Sequence, residues 1–288
     1  MKIKNVIIGV NVCFAFALLS CGGGSSSQKS ATSTVPEYTV LDNPQVDLSE
    51  FPTGEDDFIS LFDGSSLKGW RGYGREDLPS KWSIDEDGTM KFSGSGGGEA
   101  QTNDGGDIIF AHKFKNFVVS IDWKVSKGGN SGIFYLAQEI QSKNAKGESK
   151  LEPIYISAPE SQILDNDNHP DAKLGVDGNR KSSSLYDMIP ANPQNANPFG
   201  EWNNTTITVY RGTVIHEQNG KVVLEYHLWT DQWTNMLQNS KFKEGSVDFP
   251  LAFGLLNNCG GENHEGYIGL QDHGDDVWFR NIKIKISD

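Results

Sequence analysis

Apolar and polar residues alternate with a period of two along much of this chain, and few architectures tolerate that pattern. In "NFVVSIDWKV", Phe117, Val119, Ile121, Trp123 and Val125 point one way, while Ser120, Asp122 and Lys124 point the other. Such a segment is a strand with one face in a core and one in water, the habit of antiparallel sheets. "WSIDEDGTMKF" folds back at Asp87-Gly88, and "TITVYRGTVIHEQNGKVVLEYHL" turns at Arg211-Gly212 and again at Asn219-Gly220. Asn-Gly suits the positive φ that a two-residue hairpin needs. Further strands are predicted at 107–110, 131–138, 160–165, 183–188, 267–272 and 276–286. In the last of these, Arg280 is in step with Trp278, Ile282, Ile284 and Ile286, which predicts a charge at the margin of an apolar face. One helix is predicted in "TDQWTNMLQNSKF", capped by Thr230 or Asp231, with Trp233, Met236 and Leu237 as its apolar stripe. No segment repeats at the spacing of a propeller or solenoid. The expected fold is all-β, a two-sheet antiparallel sandwich with one short helix.

The N-terminal end reads differently. Residues 1–20 have a short basic start, an apolar run and small residues at the end, which is a secretory leader rather than a membrane span. Leu18-Leu19-Ser20-Cys21 resembles the cleavage box of bacterial lipoproteins, in which the cysteine becomes the lipidated first residue. Residues 21–54 open Gly/Ser-rich and are expected to form a flexible tether, followed by a single catalytic domain over 55–288. The expectation is an exported lipoprotein, held to the membrane by lipid alone, on the bacterial outer membrane or facing the periplasm. Cys13 leaves with the leader and Cys21 carries lipid, so Cys259 has no disulfide partner and is expected in the core. With 25 Lys+Arg against 38 Asp+Glu, the formal net charge is −13 at pH 7. That surface repels nucleic acid, which is excluded as a partner, but it does not oppose a neutral sugar.

Several residues have the chemistry of a site. On a strand through "ESQIL", Glu160, Gln162 and Leu164 share a face, setting an acid beside a hydrogen-bonding amide. The loop that follows carries Asp165, Asp167, His169 and Asp171. Alternating acids resemble a calcium loop, so Ca2+ is the cation to expect there, although the Gly and distal Glu of an EF-type loop are missing and no cofactor is required. Tyr186 ends a predicted strand, and Glu201 precedes Trp202, whose ring is a candidate platform for a sugar. Gln271, Asp272 and His273 close the strand near residue 270. A histidine held by a carboxylate is a proton-transfer unit. A buried Arg280 would need a carboxylate, and Asp272 or Glu160 would suit. No G-x-S-x-G, Walker, C-x-x-C or H-E-x-x-H motif is present.

"SLFDGSSLKGW", "GGNSGIFY", "SQILDNDNHPD", "LYDMIP", "GEWN", "NGKVVLEY", "SKF" and "GYIGLQDHGDDVWFRNIKIK" occur in that order between about Phe58 and Ile286. Together they resemble the 3-keto-disaccharide hydrolase family. The resemblance implies a concanavalin-A-like jelly roll and an exported hydrolase or lyase acting on glycosides oxidised at carbon 3. It implies an oligosaccharide or glycoside substrate, and it places Glu160, Gln162, Asp165, His169, Tyr186, Gln271, Asp272, His273 and Arg280 on family motifs. In such chemistry a base takes the proton on carbon 2, an acid helps expel the aglycone, and water adds back. Glu160 and His273 are the expected acid and base, Gln162 and Gln271 the readers of hydroxyls, and Arg280 a holder of a carboxylate or polariser of the ketone. Two other readings stay open: a laminarinase-like glycosidase using Glu160 with Asp272 or Glu201, and a carbohydrate-binding lipoprotein without catalysis.

Overall fold

A computed structural model describes residues 35–54, 56–94, 104–144 and 146–288, and in it the alternation becomes two packed antiparallel sheets. The larger runs Lys221–His227, Thr213–Gln218, Asn203–Tyr210, Phe117–Val125, Val277–Ile286, Met90–Phe92, Trp82–Ile84, with Ile59–Phe62 added against Val277–Ile286. The smaller runs Glu160–Leu164, Asn130–Ala137, Tyr267–Leu270, Ile108–Phe110, Trp70–Gly72. Phe117, Val119, Ile121, Trp123 and Val125 are buried against Ile108, Ile133, Tyr135, Ile163, Ile268 and Leu270 of the facing sheet. Each such side chain contributes about 1.5–3 kcal/mol by leaving water. The architecture is an all-β sandwich, as the pattern predicts, and a jelly roll, as the resemblance implies.

The helical content exceeds the expectation. Asp231–Gln238 forms as predicted, with Thr230 Oγ1 accepting from the Trp233 N–H at 3.2 Å. A second helix, Ala252–Asn257, has no side-chain cap. Packing holds it instead: Leu255 and Leu256 are buried, and Trp233 Nε1 donates to the Leu256 carbonyl at 2.9 Å. Cys259 is buried as expected, and burial pushes its thiol up to about 12.

Three local expectations fail for physical reasons. The tether expected over 21–54 is already folded from Tyr38, because Tyr38–Val40 pairs with Ile140–Lys143 and Phe51 enters the core. Ile140–Lys143 also pairs with Ser149–Leu151, so a stretch outside the predicted strands is part of a three-stranded sheet. The leader, Cys21 and the Gly/Ser run lie outside the described residues. Residues 183–188 are not a strand. They follow the edge strand, with Ser183 N–H donating to Gln162 O and Tyr186 N–H to Glu160 O, but left-handed Ser183 and Asp187 (φ 58 and 61) break the extended run. Finally, Arg280 is not in step with the isoleucines after it. A bulge at left-handed Asn281 (φ 51) shifts the register between Arg280 and Lys283. Val277 and Phe279 face the core before it, Ile282 and Ile284 after it, and Arg280 faces outward.

The core holds a titrating histidine that matters for stability. His216 is fully buried, with Nδ1 2.9 Å from the Ser183 carbonyl and Nε2 2.8 Å from Tyr135 Oη. A carbonyl only accepts, so Nδ1 carries the proton and Nε2 accepts from the Tyr135 hydroxyl. Burial lowers its pKa to about 4. The folded value lies below the ordinary 6.5, so the unfolded chain binds the extra proton, and stability present above pH 6.5 drains away as pH falls towards 4. The loss attributable to this group is about 3 kcal/mol. Urea titrations at pH 7 and pH 4 should show a smaller acid loss in His216→Gln than in the wild type. Equal losses would remove His216 from the acid response.

Candidate active site

The site lies on the face of the smaller sheet turned away from the core. Register places Glu160, Phe134 and Gly269 on one cross-strand row, and Gln162, Gly132 and Gln271 on the next, where Gln271 N–H donates to the Gly132 carbonyl at 3.0 Å. Neighbouring strands are about 4.8 Å apart, so the two glutamines flank a glycine floor about 10 Å wide. The floor must be glycine: a Cβ at position 132 would fall 2.4 Å from Glu160 Oε1. Leu164 and Asn130 form the following row, with His273 beyond the strand end. Glu160 and His273 therefore stand at opposite ends of the floor, with amides between them. Asn130 Oδ1 and Gln271 Oε1 are buried acceptors without a hydrogen-bond partner. An unmet buried acceptor costs about 1–3 kcal/mol, which a hydroxyl donor would relieve.

At the Glu160 end stands Tyr186, whose hydroxyl donates to Asp171 Oδ2 at 3.0 Å. Burial, then the carboxylates of Glu160 and Asp171, push its pKa well up, so it stays a phenol. Arg180 holds Asp171 at 2.9 Å and Asp187 at 2.7 Å. At the other end, His169 and His273 stand edge to face, centroids 6.1 Å apart. Atoms of His169, His273 and Asp275 able to bind a metal lie within 4.8 Å of one another. Two imidazoles and a carboxylate suit a divalent transition metal better than calcium. His169 Nδ1 accepts from the Asp171 N–H at 3.1 Å, so the neutral ring carries its proton on Nε2. Burial, and then His273, lower the pKa of His169 and keep it neutral.

The remaining predicted residues serve elsewhere. Asp165 is buried and ties loops together, accepting from Gly128 N–H at 2.7 Å and Asn168 Nδ2 at 2.8 Å. Asp167 is exposed and Asp171 is bound to Arg180, so the acids that suggested calcium do not converge. Asp272 is buried and braces its turn, accepting from Gly106 N–H at 2.7 Å and Gly274 N–H at 2.9 Å. Burial raises its pKa above the usual carboxylate range. Arg280 meets neither Asp272 nor Glu160. It pairs with Asp122 at 3.4 Å on the outer face of the larger sheet, where its guanidinium lies 4.0 Å over the Trp202 ring. Lys124 lies 4.9 Å over the same ring, so cations cover the expected sugar platform. Glu201 is exposed beside it. A groove of about 540 Å³ on that side is lined by Phe58, Asp122, Asn204 and Asn281, but Asn204 and Asn281 already bond Asp122. Its size does not make it the site. Sequence reasoning missed Asn130, Gly132 and Asp275; "GGNSGIFY" carried the first two, as a glycine inside a strand just after Asn130 and Ser131.

A sandwich that sets an acid, an imidazole and unmet amide acceptors on or at the end of the outer face of one sheet has the make-up of a glycoside-cleaving enzyme. Residues 57–285 match the model of the 3-keto-alpha-glucoside-1,2-lyase-like domain, and the chain belongs to that family. It is 61% identical, over 292 residues covering 99% of this chain and 100% of the relative, to the 3-keto-disaccharide hydrolase of Bacteroides thetaiotaomicron. Among solved structures it is similar to a candidate glycosyl hydrolase from Parabacteroides distasonis, at 28% identity and TM-score 0.63, covering 80% of this chain and 94% of the other. A second candidate glycosyl hydrolase from that organism matches at 25% identity and TM-score 0.56, covering 80% and 99%.

Proposed function

We propose that this enzyme cleaves glycosides whose sugar carries a ketone at carbon 3, by elimination across carbons 1 and 2 followed by addition of water. What supports this is Glu160 and the two glutamines on the outer face of the smaller sheet, with His273 just past its end, in a chain 61% identical to a 3-keto-disaccharide hydrolase. The ketone acidifies the carbon 2 proton. Glu160 and His273 share the roles of base at carbon 2 and acid at the glycosidic oxygen, while Gln162, Gln271 and Asn130 hold ring hydroxyls. Matched plain and 3-keto nitrophenyl glycosides test it. Release from the keto sugar alone is expected, because without the ketone the carbon 2 proton is too weakly acidic for a side-chain base. Equal release from both would sink the elimination and favour oxocarbenium chemistry on two carboxylates.

The His169–His273–Asp275 cluster favours a second reading of the same reaction. A divalent cation there would polarise the ketone as a Lewis acid. Dialysis against a chelator separates the two: turnover that survives supports proton transfer by side chains alone, and turnover lost and restored by one metal supports the cation.

A further inference from the structure

Tyr226 and His216 on the larger sheet and Tyr135 on the smaller one are buried together between the two sheets. His216 donates from Nδ1 to the Ser183 carbonyl and takes the Tyr135 proton at Nε2. A hydroxyl has one proton, and Tyr135 has given its own to His216, so Tyr226 is the donor in the bond between the two phenols. Every proton of the series therefore runs one way, from Tyr226 through Tyr135 and His216 to Ser183. Such a series adds little to a core that apolar side chains of the same shape would not supply, because folding only exchanges bonds to water for bonds between the groups. Its use lies in the residue on which it ends.

Ser183 is not glycine, yet its backbone is left-handed (φ 58), a conformation that persists only where the surroundings fix it. His216 binds its carbonyl, and its hydroxyl lies 3.2 Å from Thr205 Oγ1, which accepts from Trp123 Nε1 at 2.9 Å. The remaining polar group, the N–H, turns to the edge strand and donates to the Gln162 carbonyl at 2.7 Å. Gln162 N–H in turn donates to the Ser184 carbonyl at 3.1 Å. Glu160–Leu164 ends the smaller sheet, so this exchange stands where a neighbouring strand would otherwise pair. We infer that His216 is a positioning residue of the site: by clamping the Ser183 carbonyl it fixes the left-handed turn that pairs with Gln162, and so sets Gln162 on the floor. The inference rests on the 3-keto reading, with Gln162 as a holder of sugar hydroxyls. Glu160 is tied separately, its carbonyl accepting from Tyr186 N–H at 3.1 Å, so the clamp acts on substrate binding more than on proton transfer.

His216→Phe keeps a ring in the core but neither nitrogen. On a 3-keto nitrophenyl glycoside it should raise KM roughly tenfold or more, while kcat falls less than about threefold. Its melting temperature should stay within about 5 °C of wild type. Exchange of the Gln162 and Ser183 amide protons, read by NMR, should quicken about tenfold or more. His216→Asn, whose Nδ2 can donate where Nδ1 does, should bring KM back to within about threefold of wild type. Should the Phe variant not fold, Tyr135→Phe, which releases the other side of the His216 ring, takes its place, with a rise in KM of at least about threefold. A folded variant with wild-type KM, or with wild-type amide exchange, overturns the clamp. So does an Asn variant no better than the Phe one, or a loss of kcat and KM together that tracks melting. A wild type inactive on 3-keto glycosides brings down the 3-keto reading instead, and amide exchange then decides for or against the clamp.

Discussion

Glu160→Gln and His273→Asn should each slow cleavage of a 3-keto glycoside by roughly 10²–10⁴, the usual worth of a positioned acid or base. Both changes keep the shape of the side chain, so the floor should survive them. The carboxylate of Glu160 occupies the space that Gly132 leaves open, and Gln fills it equally well. If the two residues act in one proton-transfer sequence, the double variant should fall little below the worse single one, because groups that act as a unit lose their effect together. Rates should be read beside melting curves. A folded variant that keeps near-normal turnover takes its residue out of the chemistry. Loss of turnover that tracks loss of fold makes that residue structural.

The parts of this architecture set by alternation were open to a reading of the residues, and those set by a single twisted backbone position were not. Phe117–Val125 declares its buried and open faces through period-two patterning, whereas all of Glu160–Leu164 is buried and its Glu160–Gln162 face follows from strand parity alone. Arg280 was misplaced because one left-handed residue, Asn281, inverts the parity of everything after it, and asparagine marks many turns without doing so. Tyr38–Val40 was hidden for a different reason. Three residues carry almost no periodicity, and their partner strand, Ile140–Lys143, is not among the predicted strands either.

That N-terminal strand depends on a buried ion pair, whose removal should produce the largest loss of stability in the domain. Glu139 is fully buried, between the strands Asn130–Ala137 and Ile140–Lys143. Its carboxylate takes Arg71 Nη1 at 2.5 Å and Nη2 at 2.8 Å, Gly74 N–H at 2.6 Å and Asn43 Nδ2 at 2.7 Å. One side chain thus joins the segment before the first sandwich strand, the Trp70–Gly72 edge and the hairpin from Ile140 to Leu151. Both charges are buried, so the pair against water is worth little on balance, but either charge alone is costly. Glu139→Gln should destabilise by about 3–5 kcal/mol, since Arg71 keeps its charge and loses its partner. For a domain of this size that is a fall in Tm of roughly 10 °C. Arg71→Met with Glu139→Leu, which removes both charges, should restore part of that loss. Differential scanning calorimetry of the singles and the double decides it: singles that melt with the wild type would mean that water reaches the pair. The ion pair lies beside the second, smaller core of Tyr73, Ile109, Phe134, Ala158 and Tyr267, and Ala158 is two residues before Glu160. Turnover by the folded Gln variant in the cold should therefore stay near wild type, separating the support of the site from its chemistry.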